Sequence, residues 1–402
     1  MAGREKRLIA VSGAGIAGLT AALCLERAGF HVIVFEKHST LPKSGAGIQI
    51  SPNGYKVLRN LGLDPTLKTV GFAVESIDIH AGRSGALLSR FDAGAGFVAS
   101  YGAPLLMFHR ADLGQILENA CKERADIEIR YGESVEDVAT HARGVTVLTN
   151  RGGIGLETQA QALIGADGVW SALRKQVPTS GAAGFSGWIA WRSLIDADSL
   201  PDFISKTSTG LWLGRNAHVV HYPLRQGKLV NVVAVTQWDK EAPPPKGWTT
   251  DTRQTNLDSV FSRWGETVQV MLKSNGNWGG WPIFAMENSR GFASGPLCLI
   301  GDAAHAMTPH AAQGGVCAIE DASVLAACCM ESRSNLPTAF QQFEKWRLPR
   351  VKMIMRLAQK NRSLYHMGGP LALARNLVMP LLPQSALQAR MAEVYGWEPP
   401  LK

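Results

Sequence analysis

The stretch Leu8-Ile9-Ala10-Val11-Ser12-Gly13-Ala14-Gly15-Ile16-Ala17-Gly18 decides the fold. Its first five residues form a short apolar run ending at glycine, the pattern of a parallel strand buried on both faces. The glycines follow as G-x-G-x-x-G and open a helix. Leu19, Ala22, Leu23 and Leu25 continue that helix at helical spacing, and Gly29 ends it. A second apolar run, Val32-Ile33-Val34-Phe35, closes with Glu36. Gly13 permits the tight turn, Gly15 lets the backbone approach a pyrophosphate, and Gly18 lets helix and strand pack closely. The helix N-terminus offers amide donors and partial positive charge to phosphates. Glu36 is placed to hold ribose hydroxyls. The unit predicts a dinucleotide without separating a nicotinamide from a flavin.

A second piece lies near the other end of the chain. Leu297–Ile300 is an apolar strand, and Gly301-Asp302-Ala303-Ala304-His305 sits at its C-terminal end, the edge where open α/β sheets bind ligands. Asp302 can accept from a ribose or ribitol hydroxyl. Gln313-Gly314-Gly315 precedes a helix from Val316 past Leu325, whose N-terminal amides would stabilise developing negative charge. Glu320 and Asp321 fall in its early turns, where acids are favourable anyway, so no catalysis is assigned to them. Between these ends, Ala162–Gly165 reads as another strand, closing in Ala166-Asp167-Gly168. Asp167 is either a ligand contact or a turn-capping acid. Gly45–Ile50 is a small-residue strand or loop, after which Ser51 caps a helix with Pro52 in its first turn. Arg110 opens a helix, where the dipole disfavours a cation unless an anion is near.

From residue 188 the texture changes. Tryptophans 188, 191, 212, 238, 248, 264, 278 and 281 fall in strand-like stretches, and 218–224 and 229–236 read as neighbouring strands. Glu241–Gly247 reads as a loop. Alternation puts His218 and Tyr222 on one face and His221 on the other. The expected organisation is a discontinuous dinucleotide-binding domain (1–75, 101–187 and 285–340), a mostly antiparallel substrate domain (76–100 and 188–284) and a C-terminal helical region (341–402).

Composition narrows the class. The apolar fraction is 46%, the charged fraction 18% and the net charge +8, with basic residues scattered until the last 60 or so residues. Nucleic acid is therefore not expected as a partner. The six cysteines show no CxxC pair and no zinc spacing, so they read as buried thiols in a reducing compartment, and no metal is expected. The chain is read as cytoplasmic, a monomer or homodimer.

The three motifs, in this order, together with the ending Tyr395-Gly396-Trp397, resemble the FAD-dependent class A aromatic hydroxylases, the para-hydroxybenzoate hydroxylase-like group. The salicylate hydroxylase and hydroxynicotinate monooxygenase branch is the most similar. The resemblance implies an α/β Rossmann-like FAD-binding domain of the glutathione reductase type with the antiparallel domain inserted. It implies FAD held by Gly13, Gly15, Ala17, Gly18, Glu36, Lys37, Gly47, Arg110, Val135, Asp167, Asp302, Gly314 and Gly315. NADH or NADPH binds transiently, and the flavin C4a-hydroperoxide that forms with O2 hydroxylates a small phenolic or heteroaromatic acid. Pro309 would flank the reacting edge of the flavin. His310, Tyr222 and His218 are the candidates for acid/base or substrate contact, with His221 and Gln49 also lining the pocket. Gln49 stands where pyridine-hydroxylating relatives have histidine. His305 and Ser171 read as structural. Two alternatives stay open: a non-oxygenating flavoprotein reductase, and a hydroxylase of a quinone precursor working at a membrane surface through the basic stretch 345–362.

Overall fold

The computed structural model describes residues 7–42, 45–238, 255–274, 277–286 and 289–400. The loop expected at Glu241–Gly247 and the strand expected around Trp248 lie outside the described residues. Strand Leu8–Ser12, helix Ile16–Arg27 and strand His31–Glu36 form the βαβ unit read from the glycines. They belong to a six-stranded sheet ordered Ala293–Ser294, Leu297–Leu299, Ala162–Gly165, Leu8–Ser12, His31–Glu36, Ile127–Tyr131. All neighbours after the first pair run parallel. Parallel pairing sets Ser12 beside Gly165 and Gly165 beside Leu299, so three turns distant in sequence emerge at one edge.

The glycines let those turns touch. Gly13 has φ +104°, and a Cβ there would lie 2.6 Å from the Ala166 carbonyl oxygen. At Gly18 a Cβ would lie 1.9 Å from the Gly13 carbonyl oxygen, closer than any real contact. Gly301, at φ +58°, would bring a Cβ to 3.0 Å from that of Ala17. The first and last motifs are therefore in contact through their smallest residues.

A seven-stranded sheet runs Gly279–Met286, Ala183–Asp196, Leu229–Gln237, Ala217–Leu224, Thr209–Gly214, Ser76–Ala81, Leu87–Asp92. It is antiparallel except where Thr209–Gly214 pairs with Ser76–Ala81. One face packs Ile189, Trp191, Val219 and Val232 against Leu257, Phe261, Val268 and Met271 of two short helices. Trp264 belongs to that layer, in the turn after helix Thr255–Phe261 rather than in a strand. The register Arg192 to Val233 to Val220, and Asn231 to Tyr222, puts Arg192, Asn231, Tyr222 and His218 together on the opposite face.

Helix Leu336–Tyr365 closes the molecule. Its apolar residues turn inward: Val351, Ile354 and Ala358 are core, and Met353 and Leu357 pack against it. The surface alternative for 345–362 thus loses the apolar face an interfacial helix needs. Among the described residues, no helix is long and apolar enough to cross a membrane.

The helix Gly314–Glu331 carries a buried charge network. Arg347 Nε donates to Asp321 Oδ1 and its Nη1 to Glu320 Oε2, both at 2.7 Å, with all three side chains at most 1% exposed. Arg350 donates to both oxygens of Glu320. Burial alone would raise the Asp321 carboxyl, but His305 and Arg347 beside it hold it well below the usual carboxylate range. Replacing Arg347 with Met takes a buried partner from both carboxylates, leaving Asp321 with His305 and the Gly301 amide and Glu320 with Arg350 and Asn53, so Arg347→Met should lose about 3–5 kcal/mol of stability at pH 7. Without the cation, both carboxyl pKa values rise. The variant should therefore recover stability as pH falls from 7 towards 5, where the wild type does not. Urea denaturation at the two pH values checks both signs.

Candidate active site

The edge where the turns meet is shaped as a cradle. No protein atom lies within 4 Å of where a Cβ of Gly15 would sit, so a ligand can approach the backbone at the N-terminus of helix Ile16–Arg27. Glu36 receives the Ala14 amide on Oε2 at 2.8 Å and the His38 amide on Oε1 at 2.9 Å. Its remaining lone pairs can still accept from a sugar. Lys37 follows, exposed, and Val135 lies on strand Glu133–His141, packed beside the strand that ends at Glu36.

Asp167 does cap a turn: its Oδ2 accepts from the Ala172 and Leu173 amides at 2.9 and 3.4 Å. Its Oδ1 is buried without a hydrogen-bond partner, leaving one acceptor for a ligand. Arg174, to which the sequence assigned nothing, donates to the carbonyls of Val169, Ala303 and Asp302. It ties the Asp167 turn to the Asp302 turn.

At the other end of the cradle, helix Gly314–Glu331 starts at Gln313 with no acid in its first turn. A Cβ on Gly315 would lie 2.7 Å from Ile48 Cδ1, whereas at Gly314 the nearest atom is 3.8 Å away. Gly315 therefore serves packing and Gly314 leaves room for a ligand. Gln313 Nε2 donates to Ser51 Oγ, and Asn53 Nδ2 donates to Gln313 Oε1 and Glu320 Oε1. Ser51 stands at the N-cap position of helix Pro52–Asn60, yet its side chain does not cap the helix: Oγ donates to Asn53 Oδ1 at 2.7 Å instead. Gly47 lies against the Tyr222 ring, and its amide donates to Asn231 Oδ1 at 3.2 Å. Arg110, exposed, opens its helix nearby; its amide donates to the Ala46 carbonyl, and its side chain makes no hydrogen bond or ion pair among the described residues.

Beside this cradle the pocket face brings together three imidazoles. His218 Nδ1 and His366 Nε2 are 2.8 Å apart and share one hydrogen bond. The His310 ring centroid is 5.2 Å from that of His218 and 5.3 Å from that of His366. Trp188 stacks on His366 at 4.1 Å, and Tyr365 edges against His218. Both ring nitrogens of His310 and Nδ1 of His366 are buried and unpartnered. Burial, reinforced by Arg362, lowers His310 to about 4. Burial, with His310 and the nearby arginines, lowers His366 to about 3. Burial likewise pushes His218 well below its ordinary value. All three are neutral near pH 7 and can exchange protons or hydrogen bonds. Their nitrogens lie within 4.8 Å of one another, close enough for a metal ion to be held, which the cysteine and histidine spacing did not foresee. A metal would have to displace the bond between His218 and His366.

His366 was missed in the sequence because it lies at the far end of helix Leu336–Tyr365, outside any motif. His221 does not join the group. Its Nε2 sits 3.0 Å from the Ser205 carbonyl and its ring lies 4.9 Å from Trp212, on the opposite face of the sheet. Gln49 bonds the Tyr395 hydroxyl with its side chain. Pro309 is exposed at the start of a single 3-10 turn, and the His310 carbonyl accepts from Asn361. His305 lies apart, 2.6 Å from Asp321, as a structural group.

The cradle fits a flavin dinucleotide. Gly15 leaves space, Asp167 Oδ1 lacks a partner, and the Asp302 carboxylate has no hydrogen bond among the described residues. Residues 7–357 match the FAD binding domain family. The chain is 34% identical over 393 residues to a 3-amino-4-hydroxybenzoate 2-monooxygenase of Streptomyces platensis, covering 97% of this chain and 94% of that one. It is 30% identical over 390 residues to a 3-hydroxybenzoate 6-hydroxylase of Polaromonas naphthalenivorans, covering 97% and 96%. HpxO of Klebsiella pneumoniae, solved with FAD and uric acid, superposes with a TM-score of 0.84 at 25% identity over 98% of both chains. A salicylate hydroxylase substrate complex shares the fold, with a TM-score of 0.81 at 23% identity over 98% and 96% of the two chains. Fold and cradle together define an FAD-dependent flavoprotein of the aromatic monooxygenase class. This chain belongs to the FAD binding domain family, as one of its class A aromatic hydroxylases.

Two outcomes follow from the geometry. Asp302→Ala should purify largely colourless, and a normal yellow holoprotein would remove Asp302 from the cradle. The depressed histidines place a signed slope on stability. Their neutral forms favour folding fully above the unfolded pKa of about 6.5. That contribution is lost as pH falls towards 4, by at most about 1.4 kcal/mol per pH unit for each proton. His366→Gln should flatten the slope between pH 6.5 and 4 in chemical denaturation.

Proposed function

We propose that this chain is a single-component monooxygenase that hydroxylates a small phenolic or heteroaromatic acid with NAD(P)H and O2. One oxygen atom enters the ring, the other leaves as water, and NAD(P)H supplies the two electrons. Bound FAD supplies the redox and oxygen chemistry. The residues of this chain hold, orient and exclude water. Asp302 and the Gln313–Gly315 turn position the cofactor, with Glu36 at its nucleotide end. Pro309 narrows the approach to the ring. His310 Nδ1 and Nε2 are buried without a partner beside that turn, and one of them would accept the proton of a ring hydroxyl. His218 and His366 form the hydrogen-bonded pair that would carry it onward. Tyr222, held neutral because burial pushes it up to about 12, keeps a hydroxyl proton to donate.

The observation that carries this reading is the neutral imidazole cluster on the sheet face next to the Pro309 turn, in the segment that also completes the FAD cradle. Burial keeps these imidazoles unprotonated at neutral pH, so each can accept a hydrogen bond from a ring hydroxyl. The free, buried cysteines fit an enzyme of a reducing compartment.

A panel of aromatic acids assayed for stimulated NADH and NADPH oxidation, with mass spectrometry of products, should give a product 16 mass units heavier (roughly one oxygen atom, as the cofactor's oxygen chemistry requires). Oxidation that no acid stimulates would favour a reductase. His310→Ala should retain FAD but lose substrate affinity or coupling by about 10²-fold or more. Unchanged kinetics would remove His310 from the site.

A further inference from the structure

The face that carries the imidazoles has a second polar end. The half-buried Arg192 side chain makes no ion pair and no hydrogen bond among the described residues, and its Nε is buried without a partner. Its guanidinium lies over Trp281, 5.3 Å from the ring centroid. The charged groups that act on it are Tyr222 and Arg110, neither of which is an anion at neutral pH. Asn231 is fully buried. Because its Oδ1 accepts from the Gly47 amide, the orientation of its amide is fixed, and Nδ2 is left buried and unpartnered.

These two groups are neighbours. Arg192 pairs with Val233 and Leu194 with Asn231, so Arg192 and Asn231 stand diagonally on one face, about 7–8 Å apart at the backbone. Tyr222 sits opposite Asn231 on the next strand. One cation and one amide, each with a donor that has no partner, stand on the same face of the sheet. A guanidinium whose Nε is enclosed without a partner is costly, and native structures usually pair such an atom. The matching partner is a planar anion that takes the fork of an arginine. The pyrophosphate of the cofactor is an unsuitable partner, because its binding turn lies at Gly13–Gly18 on the other sheet.

We propose that Arg192 and Asn231 form a carboxylate subsite, which takes an aromatic monocarboxylate with its acid group at Arg192 and its ring directed towards His218 and His310. The inference rests on the aromatic-acid reading and adds its anchor: one end of the pocket is a cation with amide support, the other is neutral imidazole. A neutral aromatic would leave Arg192 unpaired and should be rejected, because a site built to pair a polar group penalises the analogue that lacks it.

The test uses the FAD-loaded protein. The three monohydroxybenzoates and 3-amino-4-hydroxybenzoate, each with its carboxamide, are titrated by the change in flavin absorbance. Wild type should bind the best acid about 10–100-fold more tightly than its amide, the worth of one charged hydrogen bond. Arg192→Gln should erase that ratio with unchanged FAD content, Arg192→Lys should keep part of it, and Asn231→Asp should weaken the acid by repulsion. Arg192→Met should melt no lower than wild type without ligand and should lose the stabilisation by the acid. An acid-to-amide ratio that survives in Arg192→Gln would overturn the proposal. So would loss of FAD in that variant, which would make the cofactor the partner of Arg192. Acids that bind in an Arg192-dependent way yet stimulate no turnover would sink the monooxygenase reading while leaving the subsite standing.

Discussion

Arg347, inserted between Glu320 and Asp321, is the constraint on which the site depends. Asp321 Oδ2 also accepts the Gly301 amide at 2.9 Å, and Glu320 Oε1 accepts from Asn53 at 2.6 Å. Through these acids one guanidinium locks the turn at Gly301, the start of helix Gly314–Glu331 and the start of helix Pro52–Asn60. A buried ion pair of this kind is weak evidence for net stability. What it supplies here is register. The amides and carboxylates that line the cradle come from segments nearly 300 residues apart in the chain. Their relative positions must hold to a fraction of an ångström, and a multiply hydrogen-bonded charge network tolerates little displacement.

The second requirement is a pocket whose two ends differ. The seven-stranded sheet buries one face under helices, and its strand alternation delivers the other face to the cradle. On that face burial works in opposite ways at the two ends. It strips the proton from His218, His310 and His366, leaving neutral acceptors. It cannot strip the proton from Arg192, whose intrinsic basicity is too high, so a cation persists. A substrate acid with an ionised carboxylate and a ring hydroxyl matches that polarity.

Much of this was legible before any coordinates. Gly13 and Gly18 are legible in the sequence because the fingerprint's spacing names what each does: a turn at positive φ, and a close approach of helix to strand. The shared face of His218 and Tyr222, and the exclusion of His221 from it, follow from the two-residue period of a strand. The side chains that escaped notice are those whose partners lie far along the chain. Glu320 and Asp321 look like acids at a helix start until Arg347 arrives from the next helix. Ser51 looks like a cap until Gln313 and Asn53 claim its hydroxyl. His366, Arg174 and Arg192 carry no motif, because their roles are defined by what they face. The basic stretch 345–362 left a packed helix and a membrane surface both open, because periodicity shows an apolar stripe but not what covers it; Val351, Ile354 and Ala358 lie in the core.

Cofactor binding turns on one dinucleotide-length cradle built jointly by the Gly15 and Gly314 turns. The flavin released by heat from the purified, flavin-reconstituted chain, identified by chromatography and quantified against protein, tests this most directly. One FAD per chain is the expected result. FMN in its place, or no flavin retained, would show that the two turns do not close on a common cofactor and would contradict the account.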